Sequence, residues 1–202
     1  LHKPDMIIRP GTKSTIADLI WLRESGLEAA IQKSADAGTL VFGICGGFQM
    51  LGRKISDPEQ VESAGITEIH GMGLLEVDTV FRGEKVQTQT RGVFGAVPGM
   101  LSWLSGKAYE GYEIHMGRSE EKTPALMGSG NVYGSYIHGI FDAPGISDTI
   151  LKALCAKKGV DFTALETQNL HEYKERQYDL LADAVRGGLD MDFVYRVLNR
   201  EV

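Results

Sequence analysis

A short apolar run that ends in a cysteine beside two glycines constrains the fold of this chain most. Residues 39–44 are nearly all apolar and rich in β-forming side chains, a pattern typical of a central parallel strand buried on both faces. After Cys45 the sequence changes to Gly46 and Gly47, and then to a helix-compatible segment that contains Phe48. The sequence therefore predicts a sharp turn between a buried strand and a helix, with Cys45 on the turn.

A thiol on such a turn is well placed for nucleophilic chemistry. A helix N-terminus offers unpaired backbone N–H groups and the positive end of the helix dipole, and both favour the thiolate. Gly46 and Gly47 allow a tight turn and the close approach of a substrate. The N–H group that follows a nucleophile can also stabilise an oxyanion. The alternative is a buried structural cysteine in a glycine-rich turn.

Composition narrows the class of protein. A chain of 202 residues that is 43% apolar is long enough for one well-buried core. The net charge of −6 gives no electrostatic reason to expect nucleic acid or an anionic membrane as a partner. Cys45 and Cys155 lie far apart and do not indicate a disulfide framework, so we expect a cytoplasmic protein. Because Leu1 is not a natural start residue, we expect the chain to lack its beginning.

The order of elements predicts an α/β fold. A short apolar strand begins near Pro4 and runs into a Pro-Gly turn, and the strand over residues 39–44 follows two helical segments. This alternation predicts a parallel sheet covered by helices. Three helices are predicted in this part of the chain. The first begins at residue 14 or 15, and the other two cover residues 27–37 and 46–54. A polar connection over residues 57–69, which we expect to be mobile, separates them from predicted strands at residues 74–81, 85–90, 107–116 and 131–138.

The last quarter of the sequence is expected to be helical. Helical periodicity covers residues 146–158, and a helical hairpin is predicted over residues 171–186 and 191–200, with Gly187 and Gly188 as its break. We therefore expect one domain, in which residues 1–145 form the α/β core and residues 146–202 form C-terminal helices packed on it. In the first of these helices, Cys155 has the spacing of a core thiol.

His138 is the best candidate for the base that a thiol nucleophile needs. It ends a predicted strand and is followed by Gly139. Because ligand sites of open α/β sheets lie at the carboxyl ends of strands, Cys45 and His138 are expected at the same rim. The alternative for His138 is a hydrogen-bonded structural histidine.

A metal site is a weaker possibility for the same region. Glu113 and His115 alternate along a predicted strand and so share one face, and together with His138 they could form a ligand set. The sequence has no compact His/Cys/Asp spacing of the kind that binds zinc. We therefore expect no metal.

The residues around Cys45 resemble a known motif. Gly43, Cys45, Gly47 and Gln49 match the G-x-C-x-G-x-Q nucleophile motif of the class I glutamine amidotransferases. Further segments make the chain similar to the glutaminase domain of the cobyric acid synthase family, in preference to the related cobyrinate a,c-diamide synthases. These segments are residues 10–15, 17–19, 21–23, 43–52, 112–117, 136–142, 173–183 and 189–192.

This resemblance implies a fold and an activity. The implied fold is flavodoxin-like: a mostly parallel sheet with helices on both faces, antiparallel edge strands and a C-terminal helical hairpin. The implied activity is hydrolysis of glutamine, whose ammonia passes to a separate N-terminal synthetase domain. That domain, absent from this chain, would use ATP and Mg²⁺ to amidate corrin carboxylates and convert adenosylcobyrinic acid a,c-diamide to cobyric acid. No cofactor is expected in the glutaminase domain itself.

The resemblance also implies roles for individual residues. Cys45 would form a glutamyl thioester, with His138 as its acid–base partner. The backbone N–H groups of Gly46 and Gly11 would form the oxyanion hole. The remaining implied role is glutamine binding, assigned to Gln49 and Gly47.

The third member of the catalytic triad is not evident from the sequence. Many class I amidotransferases carry a glutamate two residues after the catalytic histidine, but Gly139 and Ile140 follow His138 here. The resembling family also lacks that acid. Glu113 is one candidate for the group that orients His138, and Asp142 is a weaker one.

Two other classes of protein remain as alternatives. A thiol hydrolase of the α/β-hydrolase type would have a similar turn, but it needs an acid between nucleophile and histidine in chain order and has no use for Gln49. A catalytically silent binding module that regulates a synthetase would have no need to keep both Cys45 and His138.

Overall fold

The computed structural model describes residues 2–63, 65–119, 123–164 and 170–201, which fall into two compact units, residues 1–162 and 163–202. The strands of the larger unit are β1 (Met6–Arg9), β2 (Leu40–Ile44), β3 (Lys54–Ser56), β4 (Glu68–His70), β5 (Asp78–Val93), β6 (Ala108–Arg118), β7 (Met127–Ser129) and β8 (Val132–Ser135). Its α-helices are α1 (Thr15–Glu24), α2 (Leu27–Asp36), α3 (Gly46–Leu51) and α4 (Ile146–Lys158). The smaller unit contains α5 (Leu170–Gly188) and α6 (Met191–Leu198).

The central sheet is mostly parallel. Its strand order is β1-β2-β8-β7. Strand β2 pairs in parallel with β1 on one side and with β8 on the other, and β7 pairs antiparallel with β8 at the edge. The predicted parallel sheet with an antiparallel edge strand is confirmed.

Helices cover both faces of this sheet. Val41 and Val132 belong to a buried cluster that includes side chains of α1, α2 and α3. Leu40, Phe42 and Tyr133 belong to a second buried cluster that includes side chains of α4. Successive strand residues point to opposite faces, so apolar neighbours along β2 serve two cores. This explains why residues 39–44 form an unbroken apolar run.

A second sheet has the order β4-β3-β5-β6. Most of it is one long antiparallel pair, β5 with β6, whose register shifts between Phe81 and Val86. The sequence predicted two strands here, at residues 74–81 and 85–90. The structure instead has a single strand that accommodates Gly83 at this irregularity, and it begins at Asp78.

The connection between β3 and β4 is held by a buried acid. Helix α3 ends at Leu51, earlier than predicted, because Lys54–Ser56 pairs with β5 as strand β3. Asp57 is fully buried, and its carboxylate accepts the backbone N–H groups of Val61, Glu62 and Ser63 at 2.8–3.0 Å. The connection predicted to be mobile is therefore fixed in this part by hydrogen bonds.

The predicted helices of the C-terminal part are confirmed, with one difference. Helix α5 continues through Gly187 to Gly188, where the sequence predicted a break. Helix α6 begins after Asp190, whose side chain accepts the N–H of Phe193 at 3.0 Å. The predicted packing of the C-terminal helices on the core stays a prediction. Among the described residues, no helix is both long and apolar enough to cross a membrane.

Candidate active site

Cys45 lies on a strained turn between β2 and α3. Its backbone has φ 51° and ψ −114°, a conformation that side chains other than glycine rarely adopt. A Cβ atom on Gly43 would lie 2.7 Å from the backbone of Phe48, and one on Gly47 would lie 2.1 Å from the carbonyl oxygen of Arg9. The glycines are therefore required by close backbone contacts, and the predicted sharp strand–helix turn is confirmed.

His138 is positioned by a neighbouring strand. It lies three residues after the end of β8 and exchanges two backbone hydrogen bonds with Tyr112, at 2.8 and 3.1 Å. The two rings stack with their centroids 5.1 Å apart. The Nε2 atom of His138 is buried and has no hydrogen-bond partner among the described residues, so its lone pair or proton is available to a reaction partner.

Gly11 lies close to both Cys45 and His138. A Cβ atom on Gly11 would lie 3.0 Å from Cε1 of His138 and 3.3 Å from Cβ of Cys45. These residues follow β1, β2 and β8, three adjacent parallel strands. The structure thus brings Cys45, His138 and Gly11 together at one rim of the sheet, where the sequence predicted the first two.

A cavity of about 630 Å³ opens at this rim. Cys45 forms part of its wall, although the residue is only 6% exposed. The polar side chains that line the cavity include Thr15, Cys45, Gln49, Glu62, Lys85 and His138. The volume suits a small molecule rather than a polymer.

Gln49 belongs to a buried hydrogen-bond chain beside the cavity. It is 2% exposed. Its side-chain oxygen accepts the hydroxyl of Thr15, and its Nε2 donates to the hydroxyl of Tyr136, both at 3.3 Å. The chain continues through Ser119, 2.5 Å from Tyr136, to Thr79. These bonds fix the wall next to Cys45, and the predicted contact between Gln49 and a glutamine substrate stays a prediction.

The two glycines after Cys45 lie against the loop that follows β1. A Cβ atom on Gly46 would lie 2.8 Å from Cγ2 of Thr12, so this turn and the loop that contains Gly11 are in contact. The oxyanion roles predicted for Gly46 and Gly11 require such closeness. Those roles, and the substrate contact predicted for Gly47, stay predictions.

The carboxylate of Glu113 pairs with His115. Its Oε2 lies 3.2 Å from Nε2 of His115, whose Nδ1 lies 2.7 Å from the carbonyl oxygen of Gly117. Both ring nitrogens of His115 thus lie within hydrogen-bond distance of protein oxygens. The structure has no hydrogen bond between Glu113 and His138, so the orienting role predicted for Glu113 finds no support in this geometry. The weaker assignment to Asp142 stays a prediction.

No metal site is formed by these residues. Within residues 2–63, 65–119, 123–164 and 170–201, the structure has no group of three His, Cys, Asp or Glu side chains arranged to hold a metal ion.

Burial sets the protonation of the cysteine–histidine pair. It raises the pKa of the Cys45 thiol; the N–H of Gly46 opposes this shift, and the carboxylates of Glu113 and Glu62 add to it. Burial also lowers the pKa of His138, with a smaller contribution from His115. Both shifts favour a neutral thiol beside a neutral imidazole. The N–H of Gly46 acts in the direction expected at a helix N-terminus, but burial has the larger effect on the pKa of Cys45.

Two polar residues of the cavity were missed from the sequence. The carboxylate of Glu62 accepts the backbone N–H groups of Thr15 and Ile16 at the start of α1, and Thr15 in turn contacts Gln49. Glu62 lies in an acidic stretch that reads as a polar connection, so no sequence signal distinguishes it. The Thr15 hydroxyl was interpreted only as a possible helix cap.

The chain is similar to known proteins in sequence and in structure. The chain is 50% identical to a cobyric acid synthase of Lachnoclostridium phytofermentans, across 100% of this chain and 44% of that protein. It is 47% identical to a cobyric acid synthase of Ruminiclostridium cellulolyticum, across 100% of this chain and 43% of that protein. The crystal structure of a glutamine amidotransferase covers 77% of this chain and 80% of that chain, with 20% identity and a TM-score of 0.47.

A family model completes the assignment. The chain spans less than half of the length of the two cobyric acid synthases, at 44% and 43%. The model of the CobB/CobQ-like glutamine amidotransferase domain matches residues 1–146, which include the Cys45 turn, His138 and the loop around Gly11. This chain belongs to the CobB/CobQ-like glutamine amidotransferase domain family.

Proposed function

We propose that this chain hydrolyses glutamine through a thioester on Cys45, as the glutaminase part of a cobyric acid synthase. The observation that carries the proposal is the convergence of Cys45, His138 and Gly11 at one cavity. Cys45 supplies a nucleophile on a strained turn that lines the cavity, and His138 has an unpartnered ring nitrogen at the same rim.

The first half of the reaction forms the thioester. His138 accepts the thiol proton while Sγ of Cys45 attacks the carboxamide carbon of glutamine. The C–N bond of the resulting tetrahedral intermediate then breaks, and the imidazolium of His138 returns the proton to the leaving nitrogen, which departs as ammonia. The starting state needs a neutral imidazole, and the lowered pKa of His138 supplies it at neutral pH.

The second half releases glutamate. His138 accepts a proton from a water molecule as its oxygen attacks the thioester carbon. The carbon–sulfur bond then breaks, and the proton returns to Sγ, which restores the neutral pair. In both halves the negative charge on the carbonyl oxygen would be stabilised by the N–H groups of Gly46 and Gly11, whose neighbouring loops are in contact.

The use of the ammonia lies outside this chain. The similarity to two cobyric acid synthases supports amidation of corrin carboxylates by a synthetase part of the whole protein. That part would require ATP and Mg²⁺ to activate the carboxylates. The two cysteines of this chain are free thiols, in keeping with a reducing cytoplasm.

The test is covalent labelling with a diazo-ketone analogue of glutamine. This reagent needs only a reactive thiol and a glutamine pocket, without ATP, corrin or an ammonia acceptor. Intact mass should show one adduct, peptide mapping should place it on Cys45, and an excess of L-glutamine should prevent it.

The matched control is the other cysteine. The Cys155→Ala variant should label as the wild type does, and the Cys45→Ala variant should not label. An adduct on Cys155, or an adduct on Cys45 that glutamine does not prevent, would contradict the proposal.

A further inference from the structure

The cavity beside Cys45 is lined by side chains of opposite charge. Among the described residues that line it, Glu62 is the only carboxylate, while Lys13 and Lys85 contribute two ammonium groups. Both lysines are exposed, and neither forms an ion pair within the described part of the chain. We refer to Glu62 as the acidic wall of the cavity and to Lys13 and Lys85 as its basic rim.

Glu62 is held rigidly in that wall. Its two oxygens accept the N–H groups of Thr15 and Ile16, and the backbone N–H of Glu62 itself is bound by the buried carboxylate of Asp57 at 3.0 Å. A carboxylate fixed at both ends has little orientational entropy to lose when it binds a ligand.

The same carboxylate has unused capacity to accept hydrogen bonds. An ionised carboxylate offers about four lone-pair positions, and the two backbone bonds from α1 together with a bond from the side chain of Thr15 use three of them. Glu62 forms no ion pair with any described cationic side chain. Burial, the largest cause, raises its pKa, as expected for a half-buried acid without a cation beside it.

The position of Glu62 relative to Cys45 suits an amino-acid substrate. Its charge acts on the Cys45 thiol, so the two groups lie within electrostatic range in one cavity. An α-amino acid carries an ammonium and a carboxylate on one carbon. When glutamine presents its carboxamide to Cys45, its α-carbon lies three bonds from the carbon that is attacked.

We infer that Glu62 binds the α-ammonium group of the glutamine substrate, while the α-carboxylate faces the basic rim formed by Lys13 and Lys85. This inference rests on the proposed function. It adds the group that distinguishes glutamine from carboxamides without an α-ammonium. A charge-assisted bond of this kind discriminates by about 10- to 100-fold.

The test compares two substrates in the full chain. One is L-glutamine, and the other is glutaramate, which keeps the carboxamide and the carboxylate but lacks the α-ammonium group. In wild type, kcat/KM should be at least about tenfold higher for L-glutamine. Glu62→Gln should lower kcat/KM for L-glutamine by about 30-fold and change it for glutaramate by less than about threefold.

Two controls separate substrate binding from support of the fold. Glu59→Gln changes an exposed acid of the same connection, which does not line the cavity, and should keep the wild-type preference. The rate at which iodoacetamide alkylates Cys45 should not fall in Glu62→Gln, because the variant keeps the nucleophile in place and removes one of the charges that raise the pKa of Cys45.

The outcomes are distinct. Equal loss of activity on both substrates in Glu62→Gln overturns the inference and leaves the proposed function standing. A wild-type chain that hydrolyses neither substrate overturns both. If Glu62→Gln does not fold, a second experiment measures how well each substrate protects Cys45 of the wild-type chain from labelling by the diazo-ketone. Protection by glutaramate that is at least tenfold weaker than protection by glutamine supports the inference. Equal protection by the two overturns it.

Discussion

The two cysteines of this chain are almost equally buried and lie in opposite kinds of surroundings. Cys45 is 6% exposed and Cys155 is 8% exposed, and both are free thiols. Cys45 has a positive φ at the end of a strand, and it faces a cavity. Cys155 lies inside the regular helix α4 and does not line that cavity.

The comparison shows that burial alone does not indicate a reactive thiol. The features that set Cys45 apart are its strained backbone, the histidine at the same rim and the space in front of the sulfur. Strain of this kind persists where the surrounding structure determines it, and the close contacts of Gly43 and Gly47 do so here.

Removing each thiol in turn should give the largest contrast. Cys45→Ala is expected to lower the rate of glutamate release by at least about 10³-fold, because the nucleophile is lost. Cys155→Ala should stay within about twofold of wild type, because it is remote from the chemistry. A coupled assay for glutamate measures both, and circular dichroism in the far and near ultraviolet would confirm folding. Substantial activity in Cys45→Ala would remove the distinction between the two thiols.

The space between Cys45 and His138 offers a second way to sharpen the comparison. Gly11→Ala would place a methyl group 3.0 Å from Cε1 of His138 and 3.3 Å from Cβ of Cys45. Displacement of about an ångström at such a site costs about 10²-fold, so kcat/KM for glutamine should fall by that factor. Gly95→Ala is the control, because a Cβ there meets nothing within 4 Å. Unchanged activity in Gly11→Ala would contradict the site's geometry.

The dependence on pH should show that Cys45 reacts from a neutral pair. His138 must be neutral to accept the thiol proton, and its pKa lies below the ordinary 6.5. The acidic limb of kcat/KM is therefore expected below pH 6.5, with about a tenfold loss per pH unit beneath it. Because the pKa of Cys45 lies above the ordinary 9.0, the basic limb is expected above pH 9.0. An acidic limb above pH 6.5 would contradict the lowered pKa of His138, and a basic limb below pH 9.0 would indicate a thiolate–imidazolium pair at rest.

The smallest expected effect has opposite signs at the two cysteines. At position 45, the Cys45→Gly variant should be more stable than the Cys45→Ala variant by about 1 kcal/mol, because glycine accepts positive φ without strain. At position 155, the Cys155→Gly variant should be less stable than the Cys155→Ala variant by about 1 kcal/mol, because glycine is unfavourable inside a helix. Urea unfolding of the four variants measures both differences. Differences of equal sign would show that the strain at Cys45 is not energetically important.

Much of the fold could be predicted because its signals are local. The unbroken apolar run of β2 and the glycines after Cys45 determine a strand and a turn by themselves, and α4 was predicted with its observed bounds. Strand β5 was divided in two because Gly83 and Glu84 lack β propensity. Pairing with β6 across the irregularity overrides that local preference.

The candidate site was predictable only in part. Cys45 and His138 could be placed at one rim because both follow predicted parallel strands. Glu62 could not, since its role depends on a connection that folds back onto α1. The effect of burial on the pKa of Cys45 could not be predicted either, because desolvation depends on tertiary packing that no sequence pattern near the cysteine records.

The fixed connection after β3 has a consequence for mutational tolerance. The fully buried side chain of Asp57 accepts three consecutive backbone N–H groups. One of them belongs to Glu62, which caps α1 and forms the acidic wall of the cavity. Its neighbours Pro58 and Glu59 are exposed. The segment should therefore be sensitive to substitution at Asp57 and tolerant of it at Pro58 and Glu59. A change at Asp57 would loosen the start of α1 and one wall of the cavity together.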